Sequence, residues 1–285
     1  MMRALHLCLM LVVALAATSM AHAQAGIRPA IAAGTGGAEQ ILADVGVDEQ
    51  YDTPIPLDTQ FRDHTGAVVS LRDLWDSQRP ALLHFVSYTC ATVCDLTLNS
   101  IGTTLGQQQW TVGAEYDVYT ISMNPRDTPH DAADARGRML GRYARAEAER
   151  GWHFLVGDEA SIAALAAAVG YRFRWDPGSE QFAHPAVLMV TRAGGTVRLS
   201  RYLRGVEYTS NDVRLSLAEA ADGGTLSPVD SALLYCFRFD AHEGRYVIVA
   251  WRVMRIGGSL CALLLFGSLI YFWRRELRSR VVPAA

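Results

Sequence analysis

The run Ala81-Leu82-Leu83-His84-Phe85-Val86-Ser87-Tyr88-Thr89-Cys90-Ala91-Thr92-Val93-Cys94-Asp95-Leu96 constrains this chain more than any other stretch. Its first part is apolar and aromatic, the pattern of a strand buried inside a sheet. The period then changes, because Leu96, Asn99, Ser100 and Leu105 open a helical pattern. Cys90 and Cys94 therefore fall where a strand hands over to a helix. Placed in the first helical turn, four residues apart, they share one face. One turn separates their Cα atoms by about 6 Å, inside the disulfide range of about 4.4–6.8 Å. The unpaired N–H groups and dipole of a helix N-terminus lower a thiol's pKa, and thiolate both attacks disulfides and binds soft metals. Two small buried residues would also fit such a run, but placement, spacing and compartment favour chemistry.

The compartment follows from the two ends of the 285-residue chain. Residues 1–23 read as a secretory signal peptide: Arg3 is the positive end, Leu5 to Ala17 the apolar core, and Ala21-His22-Ala23 the small-residue cleavage site. Gln24 stands where a lipoprotein signal would need cysteine, and Cys8 would leave with the signal. Ile256 to Trp273 is an 18-residue apolar run, just long enough to span a bilayer. Arg274, Arg275, Arg278 and Arg280 follow it and favour a cytoplasmic C-terminus. The expected location is the inner membrane, single-pass, with the domain between these ends on the periplasmic side. There an unassisted cysteine pair rests as a disulfide. All 26 basic residues are arginine, which excludes Schiff-base chemistry and a Walker-type phosphate lysine, and a net charge of −3 leaves no nucleic-acid footprint.

The remaining segments alternate strand and helix. Residues 24–53 read as an Ala/Gly-rich tether. Phe61 to Ser70 reads as a hairpin turning near Gly66, and Ser70 as the cap of a helical turn. Tyr116 to Ser122 and Trp152 to Val156 are further strands. Thr128 with Pro129, Asp158 and Ser210-Asn211-Asp212 mark helix starts. Ala186 to Val190 and Val197 to Tyr202 form a closing hairpin. This order predicts an α/β sandwich with a mixed central sheet flanked by helices. A juxtamembrane segment 221–255, the transmembrane helix 256–273 and a cytoplasmic tail 274–285 complete the chain. His84 and His153 read as core histidines, and His64 and His130 as solvated. Cys236 with His242 is a weak second metal candidate, and Cys261 a small apolar residue of the span.

His184 stands at the start of the closing hairpin, which in a thioredoxin-type sheet packs beside the cysteine helix. Two thiolates and one imidazole suit Cu(I) and adapt to Cu(II), whereas zinc would usually take a fourth ligand. Thr89-Cys90-Ala91-Thr92-Val93-Cys94, the block Thr120-Ile121-Ser122-Met123-Asn124-Pro125-Arg126-Asp127-Thr128-Pro129, and His184 resemble the Sco/SenC family. Those are membrane-anchored, thioredoxin-fold copper proteins that help metallate the dinuclear copper centre of cytochrome c oxidase. The resemblance implies a thioredoxin-like domain over 54–220, Cys90, Cys94 and His184 as copper ligands, the copper-bearing oxidase subunit as acceptor and a thioredoxin-like partner as reductant. The chain departs from the family pattern in Ala91 and Asp95, where proline is common, in Asn124, where aspartate is common, and in its C-terminal anchor. Pro185 matches the cis-proline position of thioredoxin-like folds, where cis and trans are both open. Competing readings are a thiol–disulfide oxidoreductase using Cys90 and Cys94 as a redox couple, and a redox sensor. A peroxiredoxin-like peroxidase fits less well, with Leu83 and Ser87 replacing its proline and threonine, and the C-x-x-C-H of haem attachment is absent.

Overall fold

The computed structural model describes residues 44–76, 78–90, 93–192, 196–221, 237–240, 245–248 and 250–279, with the side chains of 93–96, 237–239, 246–248, 250–253 and 276–279 outside that description. The signal peptide, residues 24–43 of the tether and the Cys236–His242 pair also lie outside the described residues.

The elements are β1 (Gly46–Val47), β2 (Gln60–Asp63), β3 (Val68–Ser70), α1 (Leu71–Leu74), β4 (Ala81–Val86), α2 (Val93–Gly106), β5 (Asp117–Ser122), α3 (Pro129–Tyr143), α4 (Ala148–Gly151), β6 (Trp152–Val156) and α5 (Glu159–Ala168). There follow β7 (Tyr171–Arg172), β8 (Arg174–Asp176), β9 (Gln181–Ala183), β10 (Val187–Arg192), β11 (Arg198–Arg204), α6 (Ser210–Ala220), β12 (Phe237–Asp240), β13 (Arg245–Ile248) and α7 (Ala250–Ser279). Seven strands make one sheet in the order β11-β10-β4-β5-β6-β2-β3. β4, β5 and β6 are parallel, while β10, β11, β2 and β3 pair antiparallel. This is the mixed α/β sheet expected from the order of elements, with the thioredoxin-like fold that the resemblance implies.

Both faces of the sheet are covered, which is why β4 and β5 are buried at every position. Leu82, Val86, Val118, Trp152, Phe154 and Leu188 pack on one face with residues of α2, α3 and α6. Leu83, Phe85, Tyr119, Ile121, Leu155 and Met189 pack on the other with Ile162, Leu165 and Ala166 of α5. The helix starts are capped largely as their sequences demand. Ser70 and Thr128 form reciprocal capping boxes with Asp73 and Asp131, and Asp158 accepts from the Ser161 N–H. The cap of α6 is Thr209 rather than the Ser210-Asn211-Asp212 run, because its hydroxyl reaches the Asp212 N–H at the third helical position.

Residues 44–53, assigned to the tether by composition, are built into the domain. β1 pairs antiparallel with β7, and the Asp48 N–H donates to the Gly170 carbonyl at 2.8 Å. Gly170 lies at φ +63°, and a Cβ there would stand 1.8 Å from the Asp48 carbonyl oxygen. Gly170→Ala is therefore expected to destabilise the domain by about 2–4 kcal/mol and to release residues 44–52. A thermal melt and limited proteolysis check this, and an unchanged midpoint would contradict it.

Beyond the domain, β12 and β13 form a hairpin, with β13 against α6. α7 contains an unburied apolar window, Met254–Arg275, of 22 residues with mean hydropathy 1.8. At about 1.5 Å per residue this helix is long and apolar enough to cross a bilayer. Inside it the Ser268 hydroxyl donates back to the Leu265 carbonyl at 2.8 Å, which satisfies a polar group in an apolar segment.

Candidate metal centre

The site is built where two adjacent parallel strands, β4 and β5, end and release their loops, the usual place for function in such sheets. After Val86 the chain turns through Ser87, Tyr88 and Thr89 into Cys90. Tyr88 pins this turn, its buried hydroxyl donating to the Thr120 carbonyl at 2.7 Å and to the Leu155 carbonyl at 3.1 Å. The Asp127 carboxylate, only 6% exposed, holds it from the other side. Asp127 accepts from the Tyr88 N–H at 2.7 Å, the Thr89 hydroxyl at 2.7 Å, the Ser122 hydroxyl at 2.7 Å and the Asn124 amide at 2.8 Å. A second carboxylate at position 124 would bury a like charge beside Asp127. Asn124 completes its role by accepting from the Arg126 N–H at 3.1 Å.

This anchored turn corrects one expectation. Cys90 does not sit in the first helical turn with Cys94, because α2 begins at Val93 and the Cys90 N–H points back to the Ser87 carbonyl at 3.4 Å. The backbone of Cys94 lies in the first turn of α2, and its side chain is outside the described residues.

Cys90 is half-buried, with Sγ 3.7 Å from Gln181 Oε1. It faces a cleft of about 490 Å³ lined also by Thr89, Asn124, Arg126, Trp175 and Phe182. The roof is the hairpin of β8 and β9, which the sequence reading missed. Trp175 and Phe182 pack edge to face at 5.0 Å, and the Arg126 guanidinium lies 4.8 Å over the Trp175 ring. Asp176 closes the hairpin turn by accepting from the Gly178 N–H at 2.9 Å and the Ser179 hydroxyl at 2.7 Å. Three-residue strands flanked by Pro177 and Gly178 carry too little alternation to stand out as a hairpin.

His184 follows β9 directly, three residues beyond Gln181. Burial holds its imidazole below the ordinary histidine pKa, in the neutral form that binds metals. Its Nδ1 lies 3.1 Å from the Tyr171 hydroxyl and 3.2 Å from the Pro185 carbonyl. The His184–Pro185 bond is trans, as are the other peptide bonds of the described residues. Among the described residues no three His, Cys, Asp or Glu side chains stand together as a metal cluster, Cys94 being outside that search.

The other histidines divide as follows. His84 is 1% exposed in β4, with Nε2 2.8 Å from the Thr120 hydroxyl, and is a core residue. His153 stacks on Tyr119 at 4.9 Å and is half-buried rather than a full core residue. His130 is exposed and 3.5 Å from Asp134. His64 is half-buried rather than solvated, because the β2–β3 turn folds it back onto the domain near Arg136.

A mixed sheet of this order, with Cys90 presented from the β4–α2 connection under a roof formed before β10, is the thioredoxin-like fold. The profile of the SCO1/SenC family matches residues 47–217, and the chain belongs to that family. Among solved structures it is similar to an Aquifex aeolicus protein provisionally assigned to electron transfer. That likeness has 23% identity and a TM-score of 0.52, covering 61% of this chain and 95% of that one. It is also similar to Bradyrhizobium japonicum ScoI, solved with copper bound, at 21% identity, TM-score 0.43, and 60% and 99% coverage. BsSco, a member of the Sco family of cytochrome c oxidase assembly proteins in which a disulfide switch was identified, matches at 18% identity, TM-score 0.47, and 62% and 98% coverage. No curated protein matches the chain significantly.

Proposed function

We propose that this chain is a membrane-anchored, extracytoplasmic copper carrier that serves cytochrome c oxidase. In this reading Cys90, Cys94 and His184 take one copper ion, as Cu(I) or Cu(II). A thioredoxin-like partner keeps the two cysteines reduced, and copper passes by ligand exchange to the copper-bearing oxidase subunit. The copper-handling domain covers residues 54–220 with residues 44–53 paired onto it, and the helix over 256–273 tethers it with its C-terminus in the cytoplasm. Tethering raises the encounter rate with a membrane-embedded acceptor by restricting the search. The observation that carries the reading is the geometry of His184, a half-buried imidazole whose Nδ1 lies 3.1 and 3.2 Å from two oxygens, in a member of the SCO1/SenC family. The donor set is soft enough for copper, and the C-terminal helix is long and apolar enough to anchor it.

The open cleft beside Cys90 favours a second reading, because a partner's disulfide has room to approach its sulfur. Dithiol exchange needs Cys90 and Cys94 but not His184. Anaerobic Cu(I) titration of the reduced full chain in detergent, against a competing chelator, separates the two readings. The expected result is one tight equivalent, weakened about 100-fold or more in His184→Ala, a loss of about 2.7 kcal/mol of binding free energy. Equal binding by wild type and variant would remove the copper reading and leave the thiol–disulfide one.

A further inference from the structure

Tyr171 reaches the His184 imidazole from the strand after α5. Its hydroxyl donates to the Pro185 carbonyl at 3.0 Å and lies 3.1 Å from His184 Nδ1. The same Nδ1 is 3.2 Å from the Pro185 carbonyl. A carbonyl oxygen only accepts, so its 3.2 Å contact with Nδ1 is a hydrogen bond only when Nδ1 carries the proton. The proton on the imidazole therefore belongs on Nδ1, shared between two oxygens, which puts the ring's lone pair on Nε2.

Tyr171 is itself held firmly. It is 3% exposed, and its ring stacks on Phe85 of β4 at 4.7 Å and packs against Phe173 at 6.0 Å. Phe85 belongs to the strand that leads into Cys90. The hydroxyl thus ties the His184 connection to the strand that delivers the cysteine. A metal-binding histidine commonly donates its second N–H to such a partner, which fixes tautomer and ring direction and strengthens the ligand.

We infer that Tyr171 is a positioning residue that sets the tautomer and orientation of the His184 imidazole for copper. This rests on the reading of His184 as a copper ligand. In Tyr171→Phe the ring, its stacking on Phe85 and its volume remain, and only the hydroxyl goes. Nδ1–H then loses the Tyr171 oxygen, which weakens the hold on that tautomer and on the ring's direction.

The test compares wild type, Tyr171→Phe, His184→Ala and Tyr143→Phe, each as full chain in detergent. Tyr143 is a control because its hydroxyl, which accepts from the Val112 N–H at 3.0 Å, is buried elsewhere. Each protein is titrated anaerobically with Cu(I) against a chelator, and the Cu(II) form is examined by electron paramagnetic resonance. Tyr171→Phe is expected to bind about 10- to 100-fold more weakly, with shifted copper hyperfine splitting. Tyr143→Phe is expected to match wild type in both. Wild-type affinity and spectrum for Tyr171→Phe, with weak binding by His184→Ala, would overturn the positioning role alone. Wild-type binding by His184→Ala would remove the ligand assignment and the positioning role with it. Nitrogen-15 spectra of the metal-free wild type read the tautomer directly, with the His184 signals identified by their loss in His184→Ala. They are expected to show Nδ1–H, and an Nε2–H tautomer would overturn the inference even if Tyr171→Phe did not fold.

Discussion

Asp127→Ala is expected to destabilise the protein by about 3–5 kcal/mol and to weaken copper binding together with it. The carboxylate is the common acceptor for the Tyr88 N–H, the Thr89 and Ser122 hydroxyls and the Asn124 amide. The Tyr88 N–H, the Ser122 hydroxyl and the Asn124 amide are buried, whereas Thr89 is exposed, and none of the buried donors regains a carboxylate partner when the side chain is cut back. Hydrogen bonds to a charged group contribute about 1.5–3 kcal/mol each, and stranded buried donors keep their desolvation cost. Losses from one carboxylate are not additive, so the total matches that of breaking a buried ion pair. For a domain of this size that lowers the thermal midpoint by on the order of 10 °C. Asp127→Asn keeps the shape but points an N–H group at other donors, and it should recover only part of the loss. The turn through Tyr88 and Thr89 presents Cys90, so loosening it also reduces Cu(I) affinity. Thermal melts followed by near-ultraviolet circular dichroism, with parallel Cu(I) titrations, measure both effects. A midpoint within about 2 °C of wild type would show that Asp127 does not hold the turn.

Acidification is expected to remove stability from about pH 6.5 downward, well before most carboxylates titrate. His84 is pushed down to about 3 by burial, and His153 to about 4 by burial and then by the nearby positive charge of Arg136. Unfolded, both take up protons near pH 6.5. Between their folded and unfolded pKa values the unfolded chain binds protons that the folded chain refuses, so stability falls as pH falls. At pH 5 each histidine has cost about 2 kcal/mol relative to pH 7. Asp117 acts in the opposite sense. Burial raises it to about 6 despite Arg79 Nη2 at 3.0 Å, because the cost of desolvation exceeds that attraction. Its folded form gains a proton before its unfolded form does, which returns about 1 kcal/mol by pH 5. The net loss between pH 7 and pH 5 should shrink by about 2 kcal/mol in His84→Gln, whose amide can still meet the Thr120 hydroxyl. Denaturant unfolding at the two pH values reads the difference. An unchanged pH dependence in the variant would mean that His84 is protonated in the folded state.

Much of the architecture was legible because its causes are local. β4 and β5 are covered on both faces, so burial at every position left the unbroken apolar runs that mark them. Thr128 with Pro129 and Asp158 announced α3 and α5, since an N-terminal cap needs only a few neighbouring residues. Cys90 misled for the same reason. Spacing alone placed it in a helix, whereas Asp127, 37 residues further on, holds its turn outside one. Gln181 and Tyr171 carried no signal, because a polar residue in a short hairpin and a tyrosine after a glycine are common in any chain.

By itself the sequence determined the order of strands and helices, the strand-to-helix connection that carries both cysteines and the apolar span near the C-terminus. These follow from periodicity, caps and composition, which act over a few residues. Tertiary structure alone decided that Asp127 would gather the donors around Cys90, that Gln181 would touch its sulfur, and that Tyr171 would meet His184. It also decided that residues 44–53 would join the domain. Such contacts depend on which chain segments the sheet brings together, and the partners' identities leave no periodic trace along the chain.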